Sequence, residues 1–375
     1  MLLQYAFDWT GETARAAQRV LANSMLLQPP TRQMFVDFGF DSTACSALKS
    51  DHFDSQFLVS RIIFFSTYGT TVNLSDLLTN HALAQNIISD LAQHAKLLDS
   101  KPKGTQDQMQ DMALAELLKL LFNITHFCRD KASLFDSAVK HIVPLFWKQE
   151  ISDKRPLDPP FGPLVNALIN LDFSSETAQA AFFPKDDATK VVARLSVLLD
   201  KGLKDYTGND LEAIVAPLTG VISDLYEQGP EAAKADLRQR LLPTAEDRKN
   251  VLGKGDTLPS RLLKNSANPL APKLATAISH LLFDLSDRDG HKFVENVGYG
   301  FASGFLFQNN IPVPASAQDG GNGTGQQRAV NPITGQFLDE EVYPDEIPMT
   351  DEEKEREAER LFVLFERFVS ASMPL

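Results

Sequence analysis

The chain has 375 residues, is 43% hydrophobic and 23% charged, and carries a formal net charge of -13. Such a composition fits a folded globular chain and excludes a disordered one, while the lack of any basic stripe argues against nucleic acid as a partner. Two cysteines, Cys45 and Cys128, cannot build a disulfide scaffold, no apolar run approaches the roughly 20 residues of a membrane span, and the N-terminus lacks the pattern of a secretory leader, so a cytoplasmic location without membrane insertion is expected.

In chain order, helical periodicity dominates to about residue 310. Ala14, Ala17, Val20 and Leu21 share one helix face, and Leu114, Leu117, Leu118, Leu121 and Phe122 share another. Breaks rich in Pro, Gly and polar residues fall at 28–32, 101–106, 154–162 and 254–260. The apolar run at 62–65 is short enough to be a strand, but its helical flanks favour helix.

One pattern recurs: RIIFFST from Arg61, KLLFNIT from Lys119, NALINLD from Asn166, a weaker APLTGVIS from Ala216, and HLLFDLS from His280. The fourth position of each apolar core is Phe65, Asn123, Asn170, Gly220 and Asp284, spaced by 58, 47, 50 and 64 residues. Armadillo and HEAT units run about 40–47 residues, so these spacings predict such units with insertions. A unit of this kind cannot bury its apolar face alone, and stacked neighbours form a solenoid. The expected fold is therefore all-α, a right-handed armadillo/HEAT-like solenoid over 1–310.

Residues 312–330 are rich in Gly, Pro, Ser and Gln and read as a linker. The stretch from Asn331 to Met349 is expected to be mostly extended, since Pro332, Pro344 and Pro348 oppose helix. The domain reading is thus a solenoid over 1–310, a linker and extended acidic segment over 311–349, and an amphipathic helix over 350–375. Thr350 with Glu353 makes a capping box for that helix. Ala358, Leu361, Phe362, Phe365, Phe368 and Val369 line its apolar face. Residues 339–360 hold eleven acids and three bases, so this segment supplies -8 of the chain's net charge.

No signature of chemistry emerges. There is no phosphate-binding G-x-x-x-x-G-K-[ST] and no G-x-S-x-G, and GYGFASG at 298–304 follows a helical run rather than a strand. His126, Cys128 and Asp130 are the nearest approach to a metal cluster, and they lack a second pair of ligands. No catalytic residue, metal or cofactor is expected. The amides of Asn123 and Asn170 occupy otherwise apolar positions. They can bond the backbone of a bound peptide in a concave groove, or tie down a neighbouring helix end. Arg61 and Lys119 add positive charge to the same groove or simply face solvent. Acidic surroundings make Thr350 a candidate phosphorylation site as well as an N-cap.

Several segments together resemble the synembryn (Ric-8) family. They are LLQPPTRQMFVDFG at 26–39, LVSRIIFFSTY at 58–68, ALAELLKLLFNIT at 113–125, FGPLVNALINLDF at 161–173, and the run from Gly255 to Leu306 with its GYG-x-A-x-G element. NPITGQ at 331–336 and MTDEEKEREAERLFVLFERF at 349–368 match the family's C-terminal end. The family has more repeat sequence before the region that starts here, so its first units are expected to be absent. The resemblance implies a guanine nucleotide exchange factor and chaperone for heterotrimeric G-protein α subunits, acting as a monomer and not as an enzyme. It implies binding of the nucleotide-free client, with the client's C-terminal helix in the groove and the C-terminal helices as a brace. On that reading the partner-binding residues are Arg61, Lys119, Asn123, Asn166, Asn170, Phe362 and Phe365. A peptide-binding adapter of the same fold without exchange activity is the alternative, although its importin-type form needs a Trp four residues before the ladder Asn, which is missing.

Overall fold

The computed structural model describes residues 1–100, 107–312, 331, 335–339 and 356, with side chains omitted at 98–100. Among these residues the chain is helical without a β-strand. The helices are α1 (Leu2–Phe7), α2 (Gly11–Leu27), α3 (Pro30–Asp37), α4 (Asp41–Leu48), α5 (Phe53–Ser66), α6 (Leu74–Asn80), α7 (Leu83–Ser100), α8 (Gln108–Phe127) and α9 (Val139–Leu145). They continue as α10 (Phe161–Leu168), α11 (Glu176–Phe182), α12 (Lys190–Asp205), α13 (Gly208–Gln228), α14 (Glu231–Leu241), α15 (Leu258–Ser266), α16 (Pro272–Leu285), α17 (Gly290–Val297) and α18 (Tyr299–Gln308).

Local chemistry sets many of the boundaries. Side-chain oxygens of Asn73, Asp107, Ser175, Thr257 and Asp289 accept the free N–H groups at the starts of α6, α8, α11, α15 and α17. Pro30 and Pro272 open α3 and α16, where a missing N–H costs nothing. Gly298, at φ +81°, ends α17 and starts α18, a backbone conformation that favours glycine.

Packing arranges the helices in two rows. One runs α2, α5, α8, α10, α13, α16, each packed on the next, and α18 extends it, with Phe305 against Phe283 at 5.1 Å between ring centres. The other runs α4, α7, α9, α12, α15. At its α9–α12 step, Arg194 donates to the carbonyls of Phe146 (3.0 Å) and Gln149 (2.6 Å), and at the α12–α15 step Arg261 pairs with Asp200. Across the rows the pairs α4–α5, α7–α8, α9–α10, α12–α13 and α15–α16 enclose one continuous apolar core. Each pair buries one face against the next, as stacked repeats require. The five recurrences of the sequence pattern fall on α5, α8, α10, α13 and α16, which all belong to the first row.

Asn331 N donates to Gln336 O and Gly335 N to Asn331 O, each at 2.8 Å, closing a turn. Phe362, Phe365 and Thr350 lie outside the described residues.

Candidate functional site

The helices of the first row pack against the second row on one side and carry a strip of half-buried or exposed side chains on another. On α5 the strip holds Phe57, Arg61, Phe64 and, just beyond the helix, Tyr68. On α8 it holds Met112, Ala115, Lys119, Phe122 and His126. Asn166 and Ile169 continue it on and just after α10. Because α5 packs on α8 and α8 on α10, the structure brings Arg61, Lys119 and Asn166 onto one face, as their equivalent places in the repeat suggest.

The face is aromatic. Phe64 and Tyr68 meet edge to face at 5.2 Å, Tyr68 and Phe127 at 6.3 Å, and Phe122 stacks on His126 at 5.9 Å. Phe127 is 51% exposed and packs on Tyr68, which adds apolar surface to this aromatic face.

The two cations named from the sequence behave differently. Lys119 Nζ lies 2.8 Å from Glu116 Oε1, and its side chain is half exposed. Arg61 has no carboxylate partner among the described residues. Its guanidinium lies over Phe57 at 5.3 Å and over Phe65 at 5.6 Å. A second guanidinium, Arg32 from α3, covers the same Phe65 at 5.3 Å. Arg32 Nε donates to Met25 O (2.8 Å), and it too has no carboxylate partner among the described residues. Two unneutralised guanidiniums thus converge on one ring in a chain of net charge -13. Each keeps donors of a planar fork suited to a carboxylate. Arg32 escaped the sequence reading because it lies outside the repeat pattern. Only the packing of α3 on α5 places it there.

The two amides face inward along the row. Asn123 is 4% exposed; its Nδ2 donates to Thr67 Oγ1 (2.8 Å), and its Oδ1 accepts from Tyr68 OH (3.2 Å). Asn170 lies in the turn after α10 rather than within the helix, and its Nδ2 reaches Thr125 Oγ1 (3.3 Å) on α8. Asp284 repeats the arrangement on α16, accepting from Ser223 Oγ (3.1 Å) on α13. Asn123, Asn170 and Asp284 therefore each tie their segment to the preceding helix of the row or to the residues just after it. These amides brace the floor of the face, while Arg32, Arg61, Lys119 and Asn166 stand on its surface.

No group of three or more His, Cys, Asp or Glu among the described residues could hold a metal ion, and no described helix is long and apolar enough to cross a membrane.

Comparison with known proteins identifies the family of the chain. The Ric8 family model, described as guanine nucleotide exchange factor synembryn, matches residues 1–372. A synembryn-like chaperone of Schizosaccharomyces pombe is 28% identical over 294 residues, covering 72% of this chain and 54% of that protein. Chaperone Ric-8A of Macaca fascicularis is 25% identical over 291 residues, covering 71% and 53%. Chaperone Ric-8A of Xenopus laevis is 24% identical over 405 residues, covering 95% and 72%. The chain spans about half the length of the first two of these relatives. With the family model matching nearly end to end, the chain belongs to the synembryn (Ric8) family.

Proposed function

We propose that this chain is a guanine nucleotide exchange factor and folding chaperone for heterotrimeric G-protein α subunits, and that the free face of α5, α8 and α10 holds the client's C-terminal helix. The observation that carries the reading is the pair of unneutralised guanidiniums, Arg32 and Arg61, on Phe65 beside an exposed aromatic surface. An amphipathic helix ending in a free carboxylate matches both halves of that face. Its apolar side meets Phe64, Tyr68, Phe122 and Phe127, and its terminal charge meets the guanidinium forks. Lys119 and Asn166 extend the polar rim.

Exchange on this scheme needs no catalytic side chain. A factor shifts an equilibrium only by its differential affinity for two states. Holding the C-terminal helix away from the client's nucleotide domain favours the empty form, GDP leaves, and GTP binding later reverses the preference. Phe362 and Phe365 of the C-terminal segment serve as a brace for the nucleotide domain in this scheme. The protein works as a cytoplasmic monomer, reaching the cell cortex through its client.

The test is release of labelled GDP from a loaded α subunit, with client affinity measured in parallel. Losing a buried, hydrogen-bonded charge pair costs about 2–5 kcal/mol and a rim pair far less. Arg61→Glu and Arg32→Glu should therefore each weaken client binding at least tenfold with unchanged helical circular dichroism. Lys119→Glu, whose partner Glu116 already shares its charge, should cost only a few-fold. Full activity in both arginine variants would remove the face from the site. Tight binding without GDP release would make the chain a peptide adapter instead.

A further inference from the structure

Tyr68 lies in the turn just after α5, where no helical ladder fixes its side chain. Its ring is 41% exposed on the face of α5, α8 and α10. Three groups hold it. Phe64 of α5 meets it edge to face at 5.2 Å, and Phe127 of α8 does so at 6.3 Å. Asn123, one turn before Phe127 on α8, accepts from its hydroxyl at 3.2 Å. The direction of that bond follows from a chain of three. Thr67 Oγ1 donates its one proton to Phe64 O at 2.7 Å. Toward Asn123 it can therefore only accept, which assigns Nδ2 to Thr67 (2.8 Å) and leaves Oδ1 for Tyr68. Tyr68 then has to donate. Its hydroxyl proton is committed inward, and hydrogen bonds in series polarise and strengthen one another. Asn123 is 4% exposed with both amide atoms engaged, so its effect on a partner passes through Thr67 and Tyr68.

We propose that Asn123 is a positioning residue for client binding: through the Tyr68 hydroxyl it fixes the Tyr68 ring between Phe64 and Phe127, so that the face offers a preset apolar wall to an incoming helix. This rests on the function proposed above. A loose Tyr68 has to be ordered when the client arrives, and it is free to turn its hydroxyl outward against the client's apolar side. Ordering one such side chain on binding weakens affinity about threefold to tenfold.

A double-substitution cycle in the full chain, read as affinity for a nucleotide-free α subunit, tests this. Tyr68→Phe keeps the ring and loses only the hydroxyl; it should bind about threefold to tenfold more weakly. Asn123→Ala should lose as much. In a chain already carrying Tyr68→Phe, adding Asn123→Ala should change affinity less than twofold, because the bond it served is gone. In the free protein, scalar couplings of isotope-labelled tyrosine should show a single χ1 rotamer at Tyr68 in wild type and averaging in Asn123→Ala. A Tyr68→Phe chain that binds as tightly as wild type overturns the proposal. Equal losses from Asn123→Ala in both backgrounds would make the amide merely structural and overturn it too. So would a single Tyr68 rotamer in Asn123→Ala. A wild-type chain that binds no α subunit overturns the proposed function itself, and the positioning role with it. The couplings then still report whether Asn123 holds the ring.

Discussion

At the scale of single residues, α7 holds two buried groups whose ionisation works against the fold in opposite directions. Asp90 is 3% exposed, and burial, helped by Asp51, pushes its carboxyl up to about 8. His94 is 1% exposed, and burial, helped by Lys148, pushes its imidazole down to about 4. Neither ring nitrogen of His94 nor Asp90 Oδ2 has a hydrogen-bond partner among the described residues. Between its ordinary 3.8 and about 8, the folded protein keeps a proton on Asp90 that the unfolded chain releases, so stability falls as pH rises. Between 6.5 and about 4, the unfolded chain takes up a proton that His94 refuses, so stability falls as pH drops. The two effects cancel over the shared window, leaving a net loss from about pH 6.5 to 8. Asp90→Asn, close in shape to the neutral acid, should melt higher than wild type at pH 7.5. Its melting temperature should rise from pH 4 to 6.5 and then stay level. A wild-type curve that is flat from 6.5 to 8 would show that Asp90 is ionised in the fold. Arg61 belongs to this scale too: it was legible because it opens a repeat of the pattern, whereas Arg32 became visible only when α3 met α5.

At the scale of elements, the recurring sequence pattern picks out the first-row helices α5, α8, α10, α13 and α16, because every one of them must bury an apolar face on both neighbours. The polar residue in the middle of the pattern had two readings from sequence, groove lining or tie. For Asn123 the geometry gives a tie, since both of its amide atoms are engaged with the end of α5. Removing a buried hydrogen-bonding partner costs about 1–3 kcal/mol when it strands the group left behind. Here Thr67 also donates to Phe64 O at 2.7 Å, so the loss should sit at the low end. Asn123→Ala should therefore lower stability by about 1–2 kcal/mol in urea unfolding, with faster amide exchange at the α5–α8 contact. A variant as stable as wild type would return Asn123 to the list of residues held ready for a partner. The end of α10 before Asn170 was not legible, because an Asn after an apolar run fits a helix interior and a turn equally well.

At the scale of the whole molecule, stability is shared among stacked pairs, each contributing mainly through its neighbours. A chain ending at Met349 keeps every described helix from α1 to α18. It should retain its helical circular dichroism and melt within a few degrees of the full chain, while GDP release from the α subunit falls sharply. Unfolding on truncation would make the C-terminal segment a structural cap, and unchanged release would place the brace elsewhere, for instance around Gly298 to Gly304. The sequence by itself determined the all-α class, the repeated unit, and the family, because helical periodicity and punctuation are local and a repeated unit writes the same local solution several times. It also marked Arg61, Lys119 and Asn166, which occupy equivalent places in that unit. Only the tertiary structure decided that Arg32 joins Arg61 on Phe65, that Asn123 faces inward, and that Arg248 fastens Gly335 to the end of α17. Those are contacts between segments from roughly 30 to 90 residues apart. Their partners are set by how the rows stack, and no local pattern encodes which distant residue a side chain will meet.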